Sequence, residues 1–333
     1  MPHAMPRRPQ HGQNQYPCSE QEFNMNKNRF IALILALAIF PAAQPAFAFN
    51  FVGEAVRELS HLNREHTREY AKPAVVPTAG MSTTQGHANG DCPQFQAYGY
   101  PQTNDAKIQH RAFYSCRGGY AGMYDPAEKT PLWIAERLSA GEMDGRANRK
   151  GLDFNEDPQI PSGANAHLDD YKRSGYDKGH LAPAGDFRAS QTLMNQTFLL
   201  SNAVPQNPDH NRGIWANLEA GLREMTARRG DLYVITGPVY SNPHRAKIGR
   251  GVSVPDALYK VVVDSRKQEM TAFIIPNRAD VGDDPGRYQV NVRDVERATG
   301  LNFNPNLGRA DADRLEVGGG NWMLPRVRVR FND

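Results

Sequence analysis

The chain is poor in cysteine, with three residues, Cys18, Cys92 and Cys116, in 333. So few exclude a disulfide-knit scaffold, and without a Cys/His set beside them they exclude a structural zinc site. Long apolar runs are also missing. The main one, Ile31 to Phe40, falls well short of the roughly 20 residues that a membrane-spanning helix needs. Internal repeats and heptads are absent, which excludes solenoids and coiled coils. Neither sign of charge dominates: 39 basic residues against 36 acidic leave a formal net charge of +3. That balance permits a polyanionic partner without demanding one.

Gly (29) and Pro (24) are plentiful, and 39% of the residues are hydrophobic. Mean hydropathy is −0.64. This suits a water-soluble protein of one large domain or two small ones, with many loops. The N-terminus has its own grammar. Lys27 and Arg29 precede the apolar run, and Pro41 to Ala48 follows with small residues at Ala46 and Ala48. A basic start, a short apolar stretch and a small-residue cleavage site are the layout of a secretory signal peptide. Residues 25–48 are therefore expected to be the signal, with residues 1–24 a non-folding extension. A periplasmic or extracellular protein with no stable membrane insertion after cleavage follows. Two cysteines then remain, and an oxidising compartment predicts a Cys92–Cys116 disulfide.

Residues 49–91 read as a polar helix followed by a Pro/Gly-rich linker, so the catalytic domain is expected over 92–333. Within it, His110 to Ser115, Gly119 to Tyr124, Thr130 to Leu138 and Leu232 to Pro238 read as strands. Leu258 to Asp264 and Glu269 to Pro276 flank a polar turn and predict a hairpin. Val292 to Thr299 predicts a helix closed by Gly300. Long strands with few helices indicate an α+β fold on a largely antiparallel sheet.

Three polar blocks carry the chemistry: Asp177-Lys-Gly-His180, Leu200-Ser-Asn-Ala-Val-Pro-Gln206, and Asn211-Arg-Gly-Ile-Trp-Ala-Asn-Leu-Glu219. A phosphodiester is anionic, so its cleavage needs a base for water and positive charge on the phosphoryl oxygens. His180 ionises near neutrality and is the candidate base, and Gly179 beside it would let the backbone approach a substrate. Asn211 offers an amide oxygen of the kind Mg²⁺ accepts while keeping several waters. A helix beginning at Asn211 would place Trp215 and Glu219 on the same face. Capping of that helix is the plainer role for Asn211. Asn202 and Gln206 carry amides that could meet substrate or close their own loop. Arg149 and Lys178 are the candidate phosphate clamps.

In this order the blocks resemble the DNA/RNA non-specific endonuclease family of the ββα-metal superfamily, the endonuclease G-like nucleases. The family's Asp-Arg-Gly-His stands here as Asp177 to His180. Its Leu-Ser-Asn-x-x-Pro-Gln is Leu200 to Gln206, and its Asn-x-x-x-Trp-x-x-Leu-Glu is met by Asn211, Trp215, Leu218 and Glu219. Thr236-Gly-Pro238 and Val254 to Lys260 also fit. The resemblance covers roughly residues 110–305. It implies a ββα-metal finger on an antiparallel sheet with flanking helices. It also implies His180 as general base, Asn211 as direct ligand of one Mg²⁺ (Mn²⁺ accepted in its place), and Glu219 holding the metal's water. Asn202 would lie beside the scissile phosphate, with Arg149 on that phosphate and a homodimer as the assembly; Lys178 and Gln206 are expected on the substrate from their residue types alone. Lys178 departs from the family's arginine, keeping the charge but not the bidentate fork. The expected activity is endonucleolytic hydrolysis of DNA and RNA. A non-catalytic nucleic-acid-binding or uptake protein, or a phosphodiesterase for small nucleotide esters, are the alternatives.

Overall fold

The computed structural model describes residues 92–318 and 322–329, all within one compact unit. The expected extension, signal peptide and linker lie outside the described residues. Among the described residues no helix is long and apolar enough to cross a membrane.

The elements that position the site are, in chain order, helix α1 (Ala106–Arg111) and strands β1 (Phe113–Cys116), β2 (Tyr120–Asp125), β3 (Thr130–Leu138), β4 (Asp177–His180) and β5 (Ala203–Gln206). Helix α2 (Ala216–Arg229) follows, then strands β6 (Leu232–Val239), β7 (Ala257–Asp264), β8 (Glu269–Pro276) and β9 (Gln289–Val290), and helices α3 (Val292–Thr299) and α4 (Arg309–Gly318). Seven of the strands form one antiparallel sheet in the order β9-β8-β7-β6-β3-β2-β1. An α+β architecture with a largely antiparallel sheet is thus the observed fold.

Both faces of this sheet are covered, which explains the near-continuous apolar runs of its central strands. Side chains alternate between two cores. Along β7, Leu258 and Val262 enter one core, while Tyr259, Val261 and Val263 enter the other. Helix α2 packs over the first face through Leu218, Leu222 and Met225, and α3 and α4 cover the second through Val292, Val295 and Leu315. The Cys92–Cys116 disulfide forms, with the two Cα atoms 5.9 Å apart, and ties the start of the described chain to the end of β1. Closing a loop of that length stabilises by about 3 kcal/mol in the chain-entropy account.

Two local expectations are corrected. His110 and Arg111, read as strand, form the last turn of α1, because the Asp105 side chain caps the N–H groups of Lys107 and Ile108 and starts a helix there. The second concerns Asn211. The helical stretch begins earlier, at Pro208, with Asn207 as its cap accepting from the N–H groups of Asp209 and His210. Asn211 sits inside it, at the head of a wide π-type turn, Asn211–Trp215, in which Gly213 departs from helical angles (φ −104°, ψ −105°). Such a turn shifts the register of side chains around the helix. The expected helix ending at Gly300 is present, and Gly300 adopts the left-handed conformation (φ 72°) that favours glycine.

Candidate active site

Strands β4 and β5 form a two-stranded antiparallel finger, with Asp177 opposite Gln206 and His180 opposite Ala203. The helix containing Asn211 and α2 follows at once, giving a ββα unit. Asn277 fastens this unit to the end of β8: its Nδ2 donates to the carbonyls of Pro205 and Pro255, and its Oδ1 accepts from the Asn207 N–H. A cleft of about 740 Å³ opens between the finger and α2, and Arg149, Lys178, His180, Asn211, Glu219 and Arg223 line it. Five of the seven residues singled out in the sequence therefore meet there.

The other two do not. Asn202 is 0% exposed. Its Oδ1 accepts from the Ala182 N–H, and its Nδ2 donates to the carbonyls of Ala182 and Thr197. Both of its N–H donors and its oxygen are engaged in holding the chain at Ala182 and Thr197, so the expected place beside a phosphate is corrected to an internal brace. Gln206 is also 0% exposed, and its Nε2 bonds His210 Nδ1 at 2.8 Å. Its expected substrate contact is corrected for the same reason. The reading of Gly179 changes with it: a Cβ there would fall 1.9 Å from Gln206 Oε1 and 2.6 Å from Gln206 Cβ. Glycine is required by the neighbouring strand rather than by a ligand.

His180 lies between two rings, Phe154 at 4.5 Å and Phe198 at 4.8 Å between centroids. Burial, and then the Arg149 cation, push its pKa down to about 3. The imidazole is consequently neutral throughout the physiological range. Its Nε2 is enclosed and has no hydrogen-bond partner among the described residues, while the residue itself lines the cleft.

The Asn211 Nδ2 donates to Asp177 Oδ2 at 2.9 Å, so the amide oxygen is the end left to the cleft. The same carboxylate takes a two-pronged contact from Arg212, at 2.9 and 2.8 Å. Lys178 leans over the Phe154 ring and lies 3.5 Å from Asp153. Arg149 is exposed, lies 5.9 Å from the Phe198 ring centroid, and has no acidic partner among the described residues.

Beneath the cleft the sheet carries buried charge. Glu136, Thr236 and Lys260 are each 1% exposed. The Lys260 Nζ donates to Thr236 Oγ1 at 2.8 Å and to the carbonyl of Leu181, the residue after His180, at 3.3 Å. It also sits 5.1 Å from the centre of the Trp215 ring. Arg223, one turn beyond Glu219 on α2, pairs with Asp186 at 2.7 Å. Burial pushes the Glu219 carboxyl up to about 7, although the cations of Lys260 and Arg223 pull the other way. Arg223 was missed in the sequence, where its spacing of four from Glu219 was the available signal. Asp177 and Lys260 were in the quoted blocks without a role.

A divalent cation fits this donor set. Among the described residues there is no group of three or more His, Cys, Asp or Glu side chains placed to hold a metal. The arrangement suits an ion that takes one amide oxygen and keeps its waters. Glu219 lines the same cleft, within the field of the Lys260 and Arg223 cations.

Comparison with known proteins agrees with this geometry. The family model described as DNA/RNA non-specific endonuclease matches residues 94–310. The chain is 35% identical over 245 residues to the mouse mitochondrial nuclease EXOG, covering 68% of this chain but only 64% of that protein's length. It is 34% identical over 248 residues to bovine mitochondrial endonuclease G, covering 70% and 80%. The fold is similar to that in the crystal structure of an EndoG/EndoGI complex, which concerns EndoG inhibition. There the TM-score is 0.58 and the identity 32%, over 66% of this chain and 93% of that one. These relatives correct one expectation. A periplasmic or extracellular location does not stand against similarity to nucleases named mitochondrial.

Proposed function

This chain is a member of the DNA/RNA non-specific endonuclease family, and on that premise we propose that it hydrolyses phosphodiester bonds within DNA and RNA with little sequence preference. One observation carries the reading. A neutral imidazole from one arm of the finger and an oriented amide oxygen from the helix behind it open onto the same cleft.

His180 acts as general base, taking a proton from water through its ring, which the lowered pKa keeps in the unprotonated, accepting form at neutral pH. A Mg²⁺-type cation, with Mn²⁺ accepted in its place, supplies positive charge to the phosphoryl and leaving oxygens when held by the Asn211 amide oxygen. Asp177 fixes that oxygen by binding the opposite end of the amide. Glu219 orders water from its place on α2. Arg149, exposed and without a carboxylate partner among the described residues, meets the phosphate as it enters, and Lys178 adds charge at the finger. Contacts of this kind address the backbone rather than the bases, so specificity is loose and salt weakens the reaction.

The test is digestion of plasmid DNA and of RNA by the purified protein with and without MgCl₂, beside His180→Ala and Asn211→Ala. Both substitutions are expected to reduce cleavage by on the order of 10²–10⁴-fold. Full activity in His180→Ala would remove the mechanism.

A further inference from the structure

The tail from Trp322 to Val329 lies beyond the family match, which ends at residue 310, and it runs back along α2. Three contacts fix its course. The Trp322 ring is buried, 4.1 Å from the Arg229 guanidinium at the C-terminal end of α2. Leu324 and Pro325 pass over Gly221, where a Cβ would already come within 3.4 Å of the Pro325 carbonyl oxygen. The Val329 N–H donates to Asn217 Oδ1 at 2.9 Å near the start of the helix. Between Arg229 and Asn217 the helix advances about 18 Å, and the extended tail covers about 23 Å. The tail therefore travels from the far end of α2 to the cleft, whose wall Val329 joins.

Its side chains alternate: Arg326 and Arg328 are exposed, Val327 and Val329 half-buried. Residues two apart on an extended chain are about 6.6 Å apart on the same side, comparable with the separation of neighbouring phosphates on a nucleic-acid strand. Arg326 has no acidic partner among the described residues. Arg328 meets Asp283 at 2.9 Å, but the two side chains are 81% and 58% exposed. An ion pair so open to water contributes little and exchanges readily for another anion.

We propose that this tail is a polynucleotide-binding strap, in which Arg326 and Arg328 hold the backbone phosphates of a DNA or RNA strand as it leaves the cleft beside Val329. The inference rests on the hydrolase reading of the cleft and names a second contact region for the same substrate.

The experiment compares the full chain with Arg326→Ala/Arg328→Ala. As a charge-matched control it uses Arg309→Ala/Arg314→Ala on α4, which covers the opposite face of the sheet. A labelled 30-nucleotide single strand is titrated in EDTA by fluorescence anisotropy across a salt series, and its cleavage in MgCl₂ is measured in parallel. Each lost phosphate contact lowers the slope of log affinity against log salt by about 0.7 on a single strand. The strap variant should therefore lose about 1.4 in slope, and its KM should rise several-fold with kcat nearly kept. The control should match the wild type. An unchanged slope and KM in the strap variant, or an equal shift in the control, overturns the proposal. A wild-type protein that binds the strand without cutting it removes the hydrolase reading instead, and the same binding slopes then decide the strap.

Discussion

Asp177 Oδ2 accepts from the Asn211 amide nitrogen at 2.9 Å, and this one bond decides which end of the amide faces the cleft. A carboxylate accepts only, so the NH₂ must turn toward it and the oxygen away. Asp177→Ala frees the amide to rotate and releases Arg212. Cleavage should fall about 10–100-fold, the range seen when a partner behind a metal ligand is lost, and more MgCl₂ should be needed for half-maximal rate. Rates and MgCl₂ titrations on plasmid check it, and a variant that needs no more metal than wild type argues against the orienting role.

Glu219 should be a site where stability and activity oppose each other. Burial holds its folded pKa at about 7, above the unfolded value of about 4.3. The folded state therefore binds more protons between those values, and stability declines as pH rises through them. In EDTA at pH 8 the Glu219→Gln variant is expected to be more stable than wild type by about 1–3 kcal/mol, and the difference should shrink at pH 5. Nuclease activity of the same variant should drop. Urea melts at the two pH values measure the first part, and a destabilised variant at pH 8 would contradict it.

Asp170 predicts the reverse pH dependence. Burial pushes its carboxyl up, but the N–H groups of Arg250 and His167 and the Arg250 side chain outweigh this and hold it below the ordinary value. A depressed folded pKa contributes stability above the unfolded value of about 3.9, and that contribution fades as pH falls through the folded one. Asp170→Asn should cost about 2–3 kcal/mol at pH 7, and the gap to wild type should narrow as pH falls below the ordinary aspartate value. Denaturant titrations at pH 7, 4 and 3 follow it.

Lys260 ties the residue after His180 to the main sheet from below, through the Leu181 carbonyl and Thr236 Oγ1. Lys260→Met leaves these acceptors without a donor and the carboxyls of Glu136 and Asp186 without its cation. Removing one member of a buried charged set costs about 3–5 kcal/mol. The urea midpoint should fall accordingly, and an unchanged midpoint would show that the ammonium holds nothing in place.

The strands of the main sheet and the closing glycine of α3 were legible because apolar runs and breakers act locally. The His110–Arg111 turn was not, since the Asp105 cap competes with a β-like pattern and only one of them can win. The position of Asn211 was misread for a related reason: Asn207 is an equally good cap, and a π-type turn leaves no periodic trace. The blocks around His180 and Asn211 announced the site, yet residue type could not separate an amide that faces solvent from one saturated inside. Asn202 and Asn211 have the same chemistry and opposite duties, because only the folded neighbours of each decide what its amide meets.

Gln206 fills the volume that a side chain at position 179 would need. Two short stretches far apart in the chain are thus halves of one lock, so substitution at either should be tolerated only alongside a compensating change in the other. Homologues that lose the glycine of the tetrapeptide would be expected to carry a smaller residue in place of the glutamine.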